Sequence, residues 1–224
     1  MLLALRRGPQ VRTIGQAAKK ASRRHLQALL LLPDVDVNAA DVEGTTALAV
    51  AVNKRQTSLV ADLVASGRLE IDTRDGSGAT ALLRAARQAD IQSMRALLDC
   101  GADANAADST GYTPLMALAT INQHKVMVEL LTKPRGAAVN AQNLQGWAAL
   151  HFAADGGGKF SAVKVLRSAG ADTSLLTNLG KTAADLAAES SGDPAMMTLL
   201  KPPPPALPMP QAAAASQAVA KTAG

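Results

Sequence analysis

Five segments of this 224-residue chain repeat one short pattern: Gly-Thr-Thr-Ala-Leu at Gly44 to Leu48 returns in altered form at Gly78 to Leu82, Gly111 to Leu115, Gly146 to Leu150 and Gly180 to Ala184. The glycines stand 34, 33, 35 and 34 residues apart. A unit of that length cannot bury its own apolar face, so it must stack on copies of itself, and self-similarity at this period signals a solenoid. Function in such a fold is expected on an extended surface, rarely in a pocket.

The third unit shows the local logic. Asp108 hydrogen-bonds backbone two residues on, and Gly111 is free to adopt positive φ, so the unit opens with a tight turn. Thr113 then caps a helix and Pro114 takes its first position. Leu115, Leu118 and Ala119 fall on one face of that helix. Asn122 tolerates the left-handed conformation that ends it, and a second helix follows with Met127, Leu130 and Leu131 facing inward. In the second unit Gly101 ends the second helix, and Asp103 with Asn105 builds the next turn. One unit is turn, helix, helix, turn.

These residues resemble the ankyrin-repeat family. Its Asp-x-x-Gly-x-Thr-Pro-Leu-His opening appears in altered form at 41–49, 75–83, 108–116 and 143–151, and its Leu-Leu-x-x-Gly-Ala-Asp-x-Asn close is intact at 97–105. The resemblance covers about residues 11–201 and implies an all-α ankyrin-repeat solenoid of helix-turn-helix repeats with β-turn fingers and degenerate terminal caps. The chain departs from the pattern in having Pro only at 114 and the opening His only at 151. One extra residue falls within 67–72, two within 132–136 and one within 155–158, all at expected turns, where insertion costs little.

The organisation expected is a basic N-terminal arm at 1–10, a degenerate capping repeat at 11–40, and repeats at 41–74, 75–107, 108–142 and 143–176. A C-terminal cap at 177–201 and a disordered Pro/Ala-rich tail at 202–224 complete it. Residues 11–43 read as a first repeat because shifting Thr80, Leu97, Leu98, Asp103, Asn105 and Asp108 back by two units lands on Thr13, Leu30, Leu31, Asp36, Asn38 and Asp41. The net charge of +5 is confined to this end: residues 1–33 hold seven basic and no acidic side chains, and the body is near neutral. Lys19, Lys20, Arg23 and Arg24 suit the polar outer face of a cap. The same basic, acid-free stretch shares features with a mitochondrial transit peptide. Both readings stay open. The order Met1 to Leu5, then Arg6 and Arg7, is the reverse of a secretory signal, and Cys100, the single cysteine, gives no internal disulfide. An intracellular protein, cytoplasmic or nuclear, is expected, with the mitochondrion as the alternative.

Chemistry has little to work with. His25, His124 and His151 fall in different units and form no ligand spacing with Cys100, so neither metal nor cofactor is expected. The resemblance assigns His151 hydrogen bonding within its repeat. Gly156, Gly157, Gly158 and Lys159 lack both the first glycine and the following hydroxyl of a phosphate loop. No catalytic residue is expected. The basic leader alone offers salt-sensitive contacts to nucleic acid, and without stacking aromatics beside it that function is not expected. Pro205 to Pro208 fits a minimal PxxP pattern, which arises readily by chance in a Pro-rich stretch.

The family resemblance implies that partners bind the turn tips and the inner face of the first helices. The only tyrosine and the only tryptophan, Tyr112 and Trp147, hold the same tip slot in neighbouring repeats. Exposed Tyr and Trp are enriched at binding hot spots because each offers a large rigid surface with a polar handle. The alternative is that both rings lie over their own turns and shield the next repeat. The expected partner-binding set is Glu43, Thr45, Ser77, Tyr112, Leu144, Gln145, Trp147 and Lys181, on a non-enzymatic, monomeric scaffold for a protein partner. The competing expectation is a subunit or assembly factor of a larger complex, docked through the basic N-terminus and the Pro/Ala tail.

Overall fold

A computed structural model describes residues 18, 23–33, 35–40, 45–131, 136–156 and 159–201, with no side-chain description at 23–26 and 131. The expected arm at 1–10, most of 11–22, Glu43, the insertion at 132–135 and the tail at 202–224 lie outside these residues. Among the described residues there are eleven α-helices and no strand, as the repeat pattern requires. They are α1 (Arg23–Leu30), α2 (Ala47–Asn53), α3 (Thr57–Ala65), α4 (Ala81–Arg87), α5 (Ile91–Asp99), α6 (Pro114–Thr120), α7 (His124–Leu131), α8 (Ala149–Ala154), α9 (Phe160–Ser168), α10 (Ala183–Ser190) and α11 (Pro194–Leu200).

From α2 onward the helices pair in sequence, and the pairs stack in two rows. The first helices α2, α4, α6, α8 and α10 pack successively on one another, while α3 packs on α5 and α9 lies between α7 and α11. The first row is rich in small buried residues: Ala81, Ala85 and Ala86 in α4, Ala117 and Ala119 in α6, Ala149, Ala153 and Ala154 in α8. Alanine lets these short helices approach closely. Leucine and methionine fill the space behind them, with Leu63, Leu82, Met94, Leu97, Leu115, Met127 and Leu130 all fully buried.

Four of the five first helices, all but α8, start on the same device. Thr46, Thr80, Thr113 and Thr182 are extended and accept the amides of Ala49, Leu83, Met116 and Asp185. Such a cap is worth about 1 kcal/mol. Asn122 ends α6 at φ 57, as its chemistry suggests, and Ala89 and Arg55 adopt the same left-handed conformation without glycine's freedom.

Two hydrogen-bond ladders join the units. At the fingers, Ser109 N–H donates to Ser77 O at 3.2 Å, Leu144 N–H to Thr110 O at 2.9 Å and Asn178 N–H to Gln145 O at 3.0 Å. At the opposite turns, Asn38, Asn105 and Asn140 accept the amides of Glu70, Ala138 and Asp172 in the following unit at 2.7–2.9 Å, and Asp72 accepts that of Asp103 at 3.1 Å. Backbone polar groups at these turns are thereby satisfied between units as well as within them.

The one-residue extension at 67–72 does more than lengthen a turn. The Arg68 guanidinium reaches back to the carbonyls of Leu30, Leu32, Pro33 and Val35 at 3.0–3.3 Å, closing the end of α1. A cation suits a helix C-terminus, and charge-assisted hydrogen bonds outweigh neutral ones. Arg68→Ala is expected to cost about 2 kcal/mol, concentrated in the first unit. Hydrogen exchange checks this: protection at Leu29 and Leu30 should fall well before that at Leu115.

Candidate functional site

The fingers are built by one acceptor per unit. Asp75 Oδ1 takes the amides of Ser77 and Ala79, Asp108 Oδ1 those of Thr110 and Tyr112, and Asn143 Oδ1 those of Gln145 and Trp147, all at 2.7–3.1 Å. In the last finger Thr177 Oγ1 takes the Lys181 amide at 3.2 Å. Burial of the Asp108 carboxylate works against ionisation. The Thr110 hydroxyl, the Tyr112 and Thr110 amides and Arg87 nevertheless hold its pKa below the ordinary range, and Asp75 is held down in the same way by Ser77, Arg84 and Ala79. Anionic acceptors thus fix the slot residues Ala79 and Tyr112, while the neutral Asn143 and Thr177 fix Trp147 and Lys181.

The slot side chain turns toward the end of the first helix of its own unit. Tyr112 Oη lies 2.9 Å from Thr120 Oγ1, and Lys181 Nζ donates to Glu189 at 2.6 Å. In the fourth unit the slot holds Trp147, which packs instead on Phe152 of α8, with ring centroids 4.9 Å apart. Tyr112 meets the same Phe152 edge to face at 5.2 Å. Phe152 is the shared floor between the two rings. Both Tyr112 and Trp147 remain half-buried, so each ring partly shields its neighbour and partly faces outward.

A groove of about 490 Å³ opens above these rings, walled by Tyr112, Trp147 and Phe152 and rimmed by Thr110, Asn143 and Gln145. Arg87 and Asp155 supply its two charges. Arg87 is paired with Asp108, and its guanidinium carbon sits 5.2 Å from the Tyr112 ring centre. That cation–π contact fixes Tyr112 from the side of the preceding unit. Of the residues expected from sequence, Tyr112, Gln145 and Trp147 line this groove. Leu144 stands at the tip of the same finger, 68% exposed. Leu179, 80% exposed, stands at the next finger. Ser77 lies one finger before Tyr112, its hydroxyl on Asp75 at 2.6 Å, and Thr45 is half-buried at the first finger. Lys181 lies one finger beyond, engaged with Glu189. Glu43 is outside the described residues.

Phe152, Arg87, Asn143 and Asp155 line the groove and were missed by sequence reasoning. Phe152 follows His151 in the first helix, at the position that holds Val50, Arg84, Ala117 and Leu186 in the other units. In a chain with two phenylalanines, an aromatic at a helix position otherwise so varied was the available signal.

His151 itself is structural. Ala148 cannot cap α8 through a side chain, and His151 Nδ1 instead accepts the Ala148 amide at 3.0 Å. Its Nε2 lies 3.1 Å from Leu175 O in the loop leading to the next finger. The first bond requires the Nε2–H tautomer. Burial lowers the imidazole pKa below 6.5, against hydrogen bonds to backbone that favour the charged form.

The family model for ankyrin repeats, three copies long, matches residues 14–108, 82–177 and 118–204. The chain belongs to the ankyrin-repeat family. Among relatives carrying these repeats, the mouse (Mus musculus) B-cell lymphoma 3 protein homolog is 35% identical over 164 residues, which is 67% of this chain and 36% of that protein. The Drosophila melanogaster neurogenic locus Notch protein is 38% identical over 96 residues, 43% of this chain and 4% of that one. The chain therefore spans only about a third or less of the curated relatives it matches. An ankyrin repeat domain from Acinetobacter baumannii AYE superposes with a TM-score of 0.75 at 26% identity, covering 84% of this chain and 95% of that one. EF0377, an ankyrin repeat protein, gives 0.77 at 24% identity, over 86% and 98% of the two chains, and shows the fold alone. Ankyrin repeats are in general protein–protein interaction modules. Among the described residues no helix is long and apolar enough to cross a membrane.

Proposed function

We propose that this chain is a non-enzymatic, intracellular interaction scaffold that docks a protein partner on the face formed by its fingers and first helices, with the Tyr112–Phe152–Trp147 groove at its centre. The observation that carries the reading is the groove itself. Large rings are clustered there in a chain whose aromatic content is 2%, and their outward faces remain open between polar rims. Interface hot spots have this composition: rigid aromatics in a pocket, ringed by adaptable polar groups. Leu144 and Leu179 extend the apolar surface along neighbouring finger tips. Glu43, Thr45, Ser77 and Lys181 serve as flanking contacts on the other fingers.

Affinity purification with the wild type and the Tyr112→Ala/Trp147→Ala double variant tests the reading. Proteins captured by the first and lost with the second are the partners sought. For such a partner Trp147→Ala is expected to cost about 2 kcal/mol of binding and Leu144→Glu about 1 kcal/mol. Because Trp147 packs on Phe152, its truncation also costs about 1 kcal/mol of stability. Leu144→Glu, on an exposed tip, should leave unfolding unchanged. Capture unaltered in both variants, alongside a large fall in melting temperature for Trp147→Ala, would assign the rings to shielding and overturn the proposal.

A further inference from the structure

We propose that the groove receives a lysine or arginine side chain of a basic peptide segment, seated on the Trp147 face and paired with Asp155; this rests on the docking reading above. The structure already contains one such arrangement. At Tyr112 a cation from the chain itself, Arg87, lies over the ring and is neutralised by Asp108. One unit further on, the ring is Trp147, the aromatic whose face attracts cations most strongly. The position corresponding to Arg87 is held there by Thr120, and that corresponding to Asp108 by the neutral Asn143. Among the described residues no cation lies over the Trp147 ring.

Charge complementarity points to what fills that place. Arg87 is already neutralised, whereas the exposed Asp155 carboxylate, at the end of α8 and on the wall of the same groove, meets no donor among the described residues. The nearby Lys159 ammonium is occupied by the carbonyls of Phe152 and Asp155, at 2.9 and 2.7 Å. Lys159 keeps its charge but stands outside the groove's lining, where the one charge without a counter-ion among the described residues is the Asp155 carboxylate, beside the aromatic rings. An alkyl stem lies along the rings while the cationic head reaches the carboxylate. An acidic segment would meet Asp155 with like charge, and a purely apolar one would leave the carboxylate facing it.

The test is selection of displayed random dodecapeptides on the full chain, followed by anisotropy titration of those retained. The expected result is a Lys or Arg at one position, with binding lost in the Trp147→Ala chain. Replacing that Lys by norleucine, or that Arg by citrulline, should weaken binding about tenfold to the wild type and less than about twofold to Asp155→Asn, where the charge partner is gone. Asp155→Glu, which keeps the charge, should restore the preference, and a single cooperative melting transition above the assay temperature confirms that each variant folds. Peptides that depend on Trp147 without preferring a cation, or that lose as much on neutralisation in Asp155→Asn as in the wild type, overturn the basic-peptide assignment and leave the docking reading intact. A selection that retains nothing overturns the assignment alone. Retained peptides that all ignore Trp147→Ala overturn both.

Discussion

Gly146→Ala is expected to destabilise the fold by about 3 kcal/mol or more, the largest effect of any single methyl added to a finger. Gly146 sits at φ +76, a conformation that costs an L-residue about 1–2 kcal/mol. Space is the second problem. A Cβ there would stand 2.7 Å from Asn178 Oδ1, 2.8 Å from the Asn178 nitrogen and 3.1 Å from the Thr177 carbonyl carbon. Two of those atoms are backbone of the next finger, so relief requires the units to part, and overpacking of this kind adds about 1–3 kcal/mol. The ladder bond from Asn178 to Gln145 O would open with it. Gly180 is the internal control: at φ +72, with nothing within 4 Å of its Cβ, Gly180→Ala should cost the conformational term alone. Urea denaturation distinguishes the two, and the last unit of Gly146→Ala should unfold in a separate early transition. Equal losses in the two variants would mean that close approach between fingers does not limit stacking.

His151→Ala is expected to cost about 3 kcal/mol and to remove a pH dependence. The imidazole is 1% exposed and bridges Ala148 N–H to Leu175 O, so its loss strands two backbone groups and leaves a void. The sign of the pH effect follows from its lowered pKa. The folded chain resists protonation because Nδ1 already accepts a hydrogen bond in a buried site, while the unfolded chain takes up the proton near pH 6.5. His151 therefore contributes fully above that pH, and stability falls as pH drops below it toward the folded pKa. The carboxylates of Asp75 and Asp108 act lower, since their depressed pKa values give stability present above about 3.8 and lost in stronger acid. Melting temperatures from pH 7.5 to 5 should fall for the wild type and stay level for His151→Ala. A wild-type curve that is flat across that window would show that imidazole protonation is accommodated in the fold.

The finger register was legible because its requirements are local. Gly111 and Gly146 take positive φ, Thr113 caps α6, and Asp108 gathers its own amides, all within a few residues of chain. The placement of Tyr112 and Trp147 in one slot followed from the same spacing. The role of Phe152 did not. Its side chain was legible as one of many apolar helix positions, and only stacking shows that it lies under the ring of its own finger and the ring of the finger before. Arg68 was hidden for a related reason: an insertion at a turn is ordinarily silent, and its four carbonyl partners lie 33–38 residues earlier. Lys181, expected from its slot as a partner-binding contact, is held by Glu189 at the end of α10, a pairing that alignment of the slots alone could not supply.

The sequence by itself thus determined that the chain stacks, at which period, and which residues occupy each finger, because turn, cap and helix preferences are set by neighbours along the chain. The tertiary structure decided which side chains share a site. Tyr112, Phe152 and Trp147 close on one groove, with Arg87 and Asp155 at its wall, because two helices and two fingers from successive units are brought together by small-residue packing and the finger ladder. That packing distance fixes contacts across some 35 residues, and no local preference encodes it.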